Sequence, residues 1–212
     1  MTRPKHLFVF ALTTTLLAGA SVRADVIKWD YSWTMSPASG KVKADAPGKG
    51  KVAFDLENPG VGANNSDISA ANLRTISKAT EANPDKFQTG GFYTLTLMLT
   101  DEKSGLSGAV TFSGKLNGTF SALSADVENV FLGDTSKTLE LGNNHYVVSI
   151  GPYTPPGPPS SDNRGSIGAH VNVTHVGIRD VPEPSTLVLS CLGGTAFIGF
   201  SVRRLRKKLT LA

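Results

Sequence analysis

Cysteine, histidine and charged side chains are all scarce in this 212-residue chain. It contains one Cys and four His, and charged residues make up only 18% of it. A single cysteine cannot build a disulfide framework within the chain. A hydrophobic content of 40% with so little charge also excludes a highly charged disordered chain and a polytopic membrane protein.

The net charge of +4 is concentrated at the two ends of the chain. Residues 1–24 carry three basic and no acidic side chains, and residues 182–212 carry five basic and one acidic side chain. The 157 residues between them, 25–181, hold 13 basic and 16 acidic side chains, a balance of −3. A net-acidic middle without a basic patch excludes nucleic acid as a partner.

The N-terminal segment has the pattern of a secretory signal peptide. A basic head with Arg3 and Lys5 is followed by an uncharged, mainly apolar stretch of 14 residues, 7–20, and then by Val-Arg-Ala, which suits signal peptidase. We therefore expect cleavage between Ala24 and Asp25. The alternative is an N-terminal helix buried within the fold.

A second addressing segment is predicted over residues 182–212. Residues 185–202 form an uncharged run of 18 residues, just long enough for a spanning helix. The basic cluster behind it is expected to stay cytoplasmic, which leaves 25–181 on the far side of the membrane. That cluster consists of Arg203, Arg204, Arg206, Lys207 and Lys208.

Immediately before this run stands the triplet Pro182, Glu183 and Pro184. Triplet, apolar run and basic tail in this order resemble the PEP-CTERM protein-sorting signal, over residues 181–208 and not over the central domain. The resemblance implies processing by a membrane-embedded exosortase, after insertion in the inner membrane as a transient or permanent anchor. It also implies delivery to the cell surface or extracellular matrix of a Gram-negative-type bacterium. The alternative is a plain single-span protein.

The middle segment, 25–181, is predicted to be all-β. Apolar and polar residues alternate in its first strand and again over 93–100, a period typical of half-buried strands. About ten short strands favour an antiparallel β-sandwich, with a jelly roll as one topology. The other predicted strands are 51–56, 73–77, 109–113, 118–123, 127–132, 138–141, 146–150 and 167–176. Loops are predicted over 37–50, 59–69 and 80–91, and an extended, exposed proline-rich loop over 151–165.

One aromatic stripe is present, formed by Trp29, Tyr31 and Trp33. The three residues share a strand face with Ile27 and Met35, so we interpret the stripe as facing the core. The alternative is a sugar-contact platform on the surface.

The sequence predicts no catalytic set, no metal site and no cofactor. His170 and His175 are five residues apart in one predicted strand, so they should point to opposite faces. The adjacent acids Asp101 and Glu102 are interpreted as a solvated turn. Oxygen-rich turns at 64–67 and 162–163 contain groups that bind Ca²⁺, but neither has the spacing of a known loop, and ordinary polar turns are preferred.

The sequence as a whole therefore predicts an exported, surface-sorted, noncatalytic protein. We expect a structural or adhesive role in the envelope or the extracellular polysaccharide matrix. A carbohydrate-binding module that holds exopolysaccharide is the first alternative, and a surface hydrolase is the least favoured one.

Overall fold

The computed structural model describes residues 26–45 and 50–176, and within these ranges the chain forms twelve β-strands and no α-helix. The all-β prediction is confirmed. The strands are β1 (Lys28–Ser36), β2 (Lys41–Lys43), β3 (Lys51–Leu56), β4 (Gly60–Ala63), β5 (Ser66–Ile76), β6 (Asp85–Phe87), β7 (Phe92–Asp101), β8 (Ser107–Phe120), β9 (Ala125–Leu132), β10 (Ser136–Leu141), β11 (Asn144–Thr154) and β12 (Gly165–His175).

The strands form two six-stranded antiparallel sheets. Sheet A has the order β4-β1-β7-β8-β6, and β9 also pairs with β8. Sheet B has the order β10-β11-β12-β5-β3-β2. The chain passes from sheet A to sheet B between β4 and β5, so a corner of the fold lies at residues 64 and 65.

Both sheets contribute side chains to one hydrophobic cluster. In β7 every second residue from Tyr93 to Asp101 is buried, and the residues between them are at least partly exposed. In β11 the same alternation buries Tyr146, Val148 and Ile150. Full burial of a side chain such as Leu or Val contributes about 1.5–3 kcal/mol, so this alternation stabilises the pairing registers strongly.

Three of the observed strands lie inside segments predicted to be loops. Two segments predicted as separate strands overlap a single observed strand. β2, β4 and β6 have three or four residues each, too few to show an alternation. The predicted strand 109–113 and the first half of the predicted strand 118–123 both lie in the 14-residue β8, which ends at Phe120. Gly118 of β8 pairs with Val127 of β9 and has a φ of 99°. Glycine tolerates this conformation, so the strand continues through it.

The proline-rich segment 151–165 differs in part from its prediction. β11 continues to Thr154 across a bulge, and Pro156 is buried, so the segment is neither a loop throughout nor exposed throughout. The Thr75 hydroxyl donates a 2.6 Å hydrogen bond to the carbonyl of Gly157, which ties the loop to β5. After the loop β12 pairs with β11, so the loop connects two neighbouring strands of sheet B.

Several predicted features lie outside the described residues. They are the signal segment with Ala24 and Asp25, the triplet Pro182–Pro184, the apolar run 185–202 and the basic cluster behind it. Across residues 26–45 and 50–176, no helix is long and apolar enough to cross a membrane.

Candidate functional site

A buried carboxylate joins the two sheets at one end of the core. Asp101 is the last inward residue of β7, and its Oδ2 accepts 2.6 Å hydrogen bonds from the Tyr146 hydroxyl and from Nδ2 of Asn144 on β11. Its Oδ1 accepts a 2.7 Å bond from the backbone N–H of Ser104. The expectation of a solvated turn at Asp101 is wrong, because donors from sheet B cover the side chain and leave it 0% exposed.

These contacts hold Asp101 in its charged form. Burial alone acts to raise the pKa of the carboxyl, since it penalises charge. The hydrogen bonds from Tyr146, Ser104 and Asn144 outweigh burial and lower the pKa of Asp101 to about 2. Burial and the neighbouring Asp101 charge raise the pKa of Tyr146 well above its ordinary value, so its hydroxyl remains a donor.

His175 extends this network to the surface. Its Nδ1 lies 2.9 Å from Oδ1 of Asn144. Because Nδ2 of Asn144 donates to Asp101, Oδ1 is the atom that accepts, and Nδ1 of His175 carries the proton. His175 and Asn144 line a cleft of about 540 Å³ at the end of the sheets. Its other lining residues are Val26, Ile27, Lys28, Glu102 and Lys103.

The contacts of this network suit a structural role and not proton transfer. In an acid–base dyad the carboxylate accepts directly from an imidazole, which it orients and charges. Here the amide of Asn144 stands between His175 and Asp101, and a neutral amide orients its neighbours without passing a proton at physiological pH. The buried carboxylate therefore fixes β11 against β7, and His175 closes the network at the cleft.

The two described histidines of β12 have separate partners. Nδ1 of His170 lies 2.8 Å from Oδ1 of Asp67, on the outward side of sheet B, whereas His175 contacts Asn144 on the inward side. Among the residues that the structure describes, no group of three His, Cys, Asp or Glu side chains could hold a metal ion.

The oxygen-rich turn at 64–67 forms the corner between the sheets. Oδ1 of Asn64 accepts from the backbone N–H of Ile27, and Oδ1 of Asn65 accepts from that of Val173. The Ser66 hydroxyl donates to the carbonyl of Ala63. These side chains bind neighbouring backbone groups, as in the preferred polar-turn interpretation. The second such turn, Asp162 and Asn163, lies in the exposed part of the proline-rich loop.

The tryptophans of the aromatic stripe face the core. Trp29 is 0% and Trp33 is 5% exposed, and the Trp29 Nε1 donates a 3.1 Å bond to the Asn64 carbonyl. Tyr31 is half-buried against the backbone of Gly60. A sugar therefore cannot stack on Trp29 or Trp33 in this structure, and the sugar-contact alternative is corrected for both.

The outward side of sheet A carries a regular array of hydroxyl groups, which we call the hydroxyl face. Residues of β1, β7 and β8 pair across it in rows, such as Thr34 with Thr96 and Thr111. Neighbouring strands are about 4.8 Å apart and successive outward residues about 6.7 Å apart. Its nine hydroxyl residues are Ser32, Thr34, Ser36, Thr94, Thr96, Thr100, Ser107, Thr111 and Ser113.

A second cleft, of about 480 Å³, lies at one end of the hydroxyl face. Exposed Phe92 and Leu132 line it together with the hydroxyl residues Ser36, Thr94 and Ser113. Sequence reasoning missed this surface. The signal is present in the threonines that alternate with buried residues in β7, but the rows exist only once β1 and β8 pair beside it.

Comparison with known proteins gives one finding, and it concerns the C-terminal segment of the chain. Residues 180–207 match the PEP-CTERM protein-sorting motif, which confirms the resemblance. The match covers the C-terminal segment and does not extend over the two sheets. No curated protein and no solved structure matches the chain.

The class that these findings define is an all-β protein with a PEP-CTERM sorting motif. The motif implies export, processing by exosortase and membrane-anchored sorting to the cell surface.

Proposed function

We propose that this chain is a noncatalytic β-sandwich protein with a structural or adhesive role at the cell surface or in the extracellular matrix. A signal peptide, residues 1–24, would start export. The segment 182–212 would hold the chain in the inner membrane through a helix at 185–202 until an exosortase acts near Pro182–Pro184. The observation that carries the proposal is the sorting motif at 180–207 behind two antiparallel sheets with a shared core.

Two observations support a noncatalytic role. The buried Asp101 carboxylate, whose network reaches a cleft, accepts from an amide, a hydroxyl and a backbone N–H, and none of these is an acid–base partner. The hydroxyl face consists mainly of Ser and Thr side chains, which bind ligands without acid–base chemistry at neutral pH.

Intact-mass analysis of the natively produced protein tests the sorting step. We expect a surface form that begins at Asp25 and ends near residues 182–185. Replacing both prolines of the triplet, Pro182→Ala with Pro184→Ala, should leave an unprocessed chain in the inner membrane. Cells that lose the surface form should also lose attachment to their matrix.

The control variant carries two proline replacements in the exposed part of the proline-rich loop, Pro155→Ala with Pro159→Ala, and should be sorted normally. A surface form that retains Arg203 to Lys208 would contradict processing and leave simple anchoring. Reproducible turnover of glycosidase, esterase or protease substrates, abolished by His175→Ala, would contradict the noncatalytic role.

A further inference from the structure

We propose that the hydroxyl face of sheet A binds an uncharged polysaccharide chain, anchored in the cleft beside Phe92. The proposal rests on the adhesive role proposed above and names the surface that would perform it.

The hydroxyl face is uncharged over its three central rows. Asp30 stands beside Thr100 in the row at one end, and Lys115 stands beside Phe92 at the other. The Lys115 ammonium lies 5.3 Å from the centre of the Phe92 ring and donates to the carbonyl of Gln88. An anionic polymer would be attracted by a row of cations. The central rows contain no cationic side chain, so the face favours a neutral polymer over an anionic one.

Hydroxyl groups supply the hydrogen bonds that a polyol needs. Each Ser or Thr hydroxyl offers one donor and two acceptor positions. Thr96 and Thr111 contact each other at 2.9 Å, and Thr100 and Ser107 at 2.8 Å. In each pair one hydrogen is used between the partners, so the second hydrogen remains for a ligand. Such pairs match the alternating donors and acceptors along a sugar chain.

An exposed ring beside these hydroxyls supplies the apolar contact. Phe92 is 55% exposed, and Leu132 lines the same cleft. A sugar ring has an apolar face of C–H groups and an edge of hydroxyls, so it fits a surface where an aromatic ring adjoins Ser36, Thr94 and Ser113. Met98, also exposed, continues the apolar contact along β7.

The face is rigid before any ligand binds. Five of its nine hydroxyl residues are threonines, which are β-branched and have few χ1 rotamers, and all nine lie on paired strands. Binding therefore costs little side-chain entropy. A second copy of this chain fits less well, because the cores of protein interfaces are depleted in serine, whereas four serines lie on this face.

Co-sedimentation of the full-length chain in detergent with insoluble glycans tests the proposal. The probes are cellulose, chitin and starch granules as neutral glycans, with alginate gel as an anionic comparison. We expect retention by at least one neutral glycan. Phe92→Ala and Thr111→Lys should each weaken that binding about tenfold, as for a residue at the centre of a contact.

Thr138→Lys is the matched control, because Thr138 is an exposed threonine on the outward side of sheet B. It should bind like the unchanged chain, and urea unfolding should show that all three variants are folded. The proposal is overturned if no neutral glycan retains the chain, if alginate retains it better, or if Thr138→Lys weakens binding equally. Loss of self-association in Phe92→Ala without glycan binding would instead assign the face to a second copy. The triplet variant, Pro182→Ala with Pro184→Ala, should be missorted but should still bind glycan, because the hydroxyl face is unchanged. Failure of the sorting proposal can therefore be distinguished from failure of the glycan-binding proposal.

Discussion

The Tyr146 hydroxyl donates a 2.6 Å hydrogen bond to Oδ2 of Asp101, and this bond joins the two sheets through the end of their common core. Tyr146 is an inward residue of β11, and Asp101 is the last inward residue of β7. Both side chains are 0% exposed. The contact therefore holds β11 of sheet B against β7 of sheet A, two strands that are far apart in sequence.

Removing this hydroxyl should destabilise the fold more than removing one that contacts a neutral acceptor. Hydrogen bonds to charged groups contribute about 1.5–3 kcal/mol, so Tyr146→Phe should lower the free energy of unfolding by about that amount. The comparison is Tyr153→Phe, whose hydroxyl donates to the carbonyl of Val127 and whose loss should cost about 0.5–1.5 kcal/mol. Urea denaturation monitored by tryptophan fluorescence measures both. Equal losses would contradict a special role for Asp101.

The same carboxylate should make stability depend on pH at the acidic end. The pKa of Asp101 is lowered from 3.8 to about 2 because its hydrogen bonds outweigh burial. A lowered folded-state pKa contributes stability that is fully present above the ordinary value and is lost as the pH falls toward the folded-state value. We therefore expect the stability difference between the unchanged chain and Asp101→Asn to narrow between about pH 5 and about pH 2. A constant or widening difference would contradict the ionised state.

The alternation of side chains made most of the fold predictable. Strands such as β7 and β11 bury every second residue over most of their length, so their position follows from the sequence. β4 could not be predicted in this way, because its four residues include two glycines and it is defined by pairing with β1. The composition of such a short segment does not show that it pairs with a strand far away in the sequence.

The candidate sites were harder to predict for the same reason. Asp101 beside Glu102 has the local pattern of a solvated turn, and its burial depends on Asn144 and Tyr146, more than forty residues later. The hydroxyl face likewise requires three strands in register. The sorting motif, by contrast, is contiguous, and its order of triplet, apolar run and basic cluster was sufficient to recognise it.

A second carboxylate, Asp45, should hold the loop residues 88–90, which precede Phe92, in one conformation. Its Oδ2 accepts from the backbone N–H groups of Gln88 and Thr89, and its Oδ1 accepts from that of Gly90. These bonds lower the pKa of Asp45. Asp45→Ala should speed amide hydrogen exchange at 88–90. The Asp45→Asn variant, which keeps one acceptor oxygen, should give an intermediate rate. Unchanged exchange in Asp45→Ala would show that the loop is ordered without this side chain.

Trp29 should depend on the absence of a side chain at Gly62. The two residues pair between β1 and β4, and a Cβ at Gly62 would overlap the six-membered ring of the buried indole. Gly62→Ala must move that ring away from the Asn64 carbonyl, so we expect it to lower the free energy of unfolding by about 1–3 kcal/mol, as overpacking does. Gly108→Ala is the control, because its Cβ would approach only the ends of Leu139 and Leu141, at 3.2 Å. Urea denaturation measures both variants, and a Gly62→Ala protein as stable as Gly108→Ala would contradict the tight packing of Trp29 on β4.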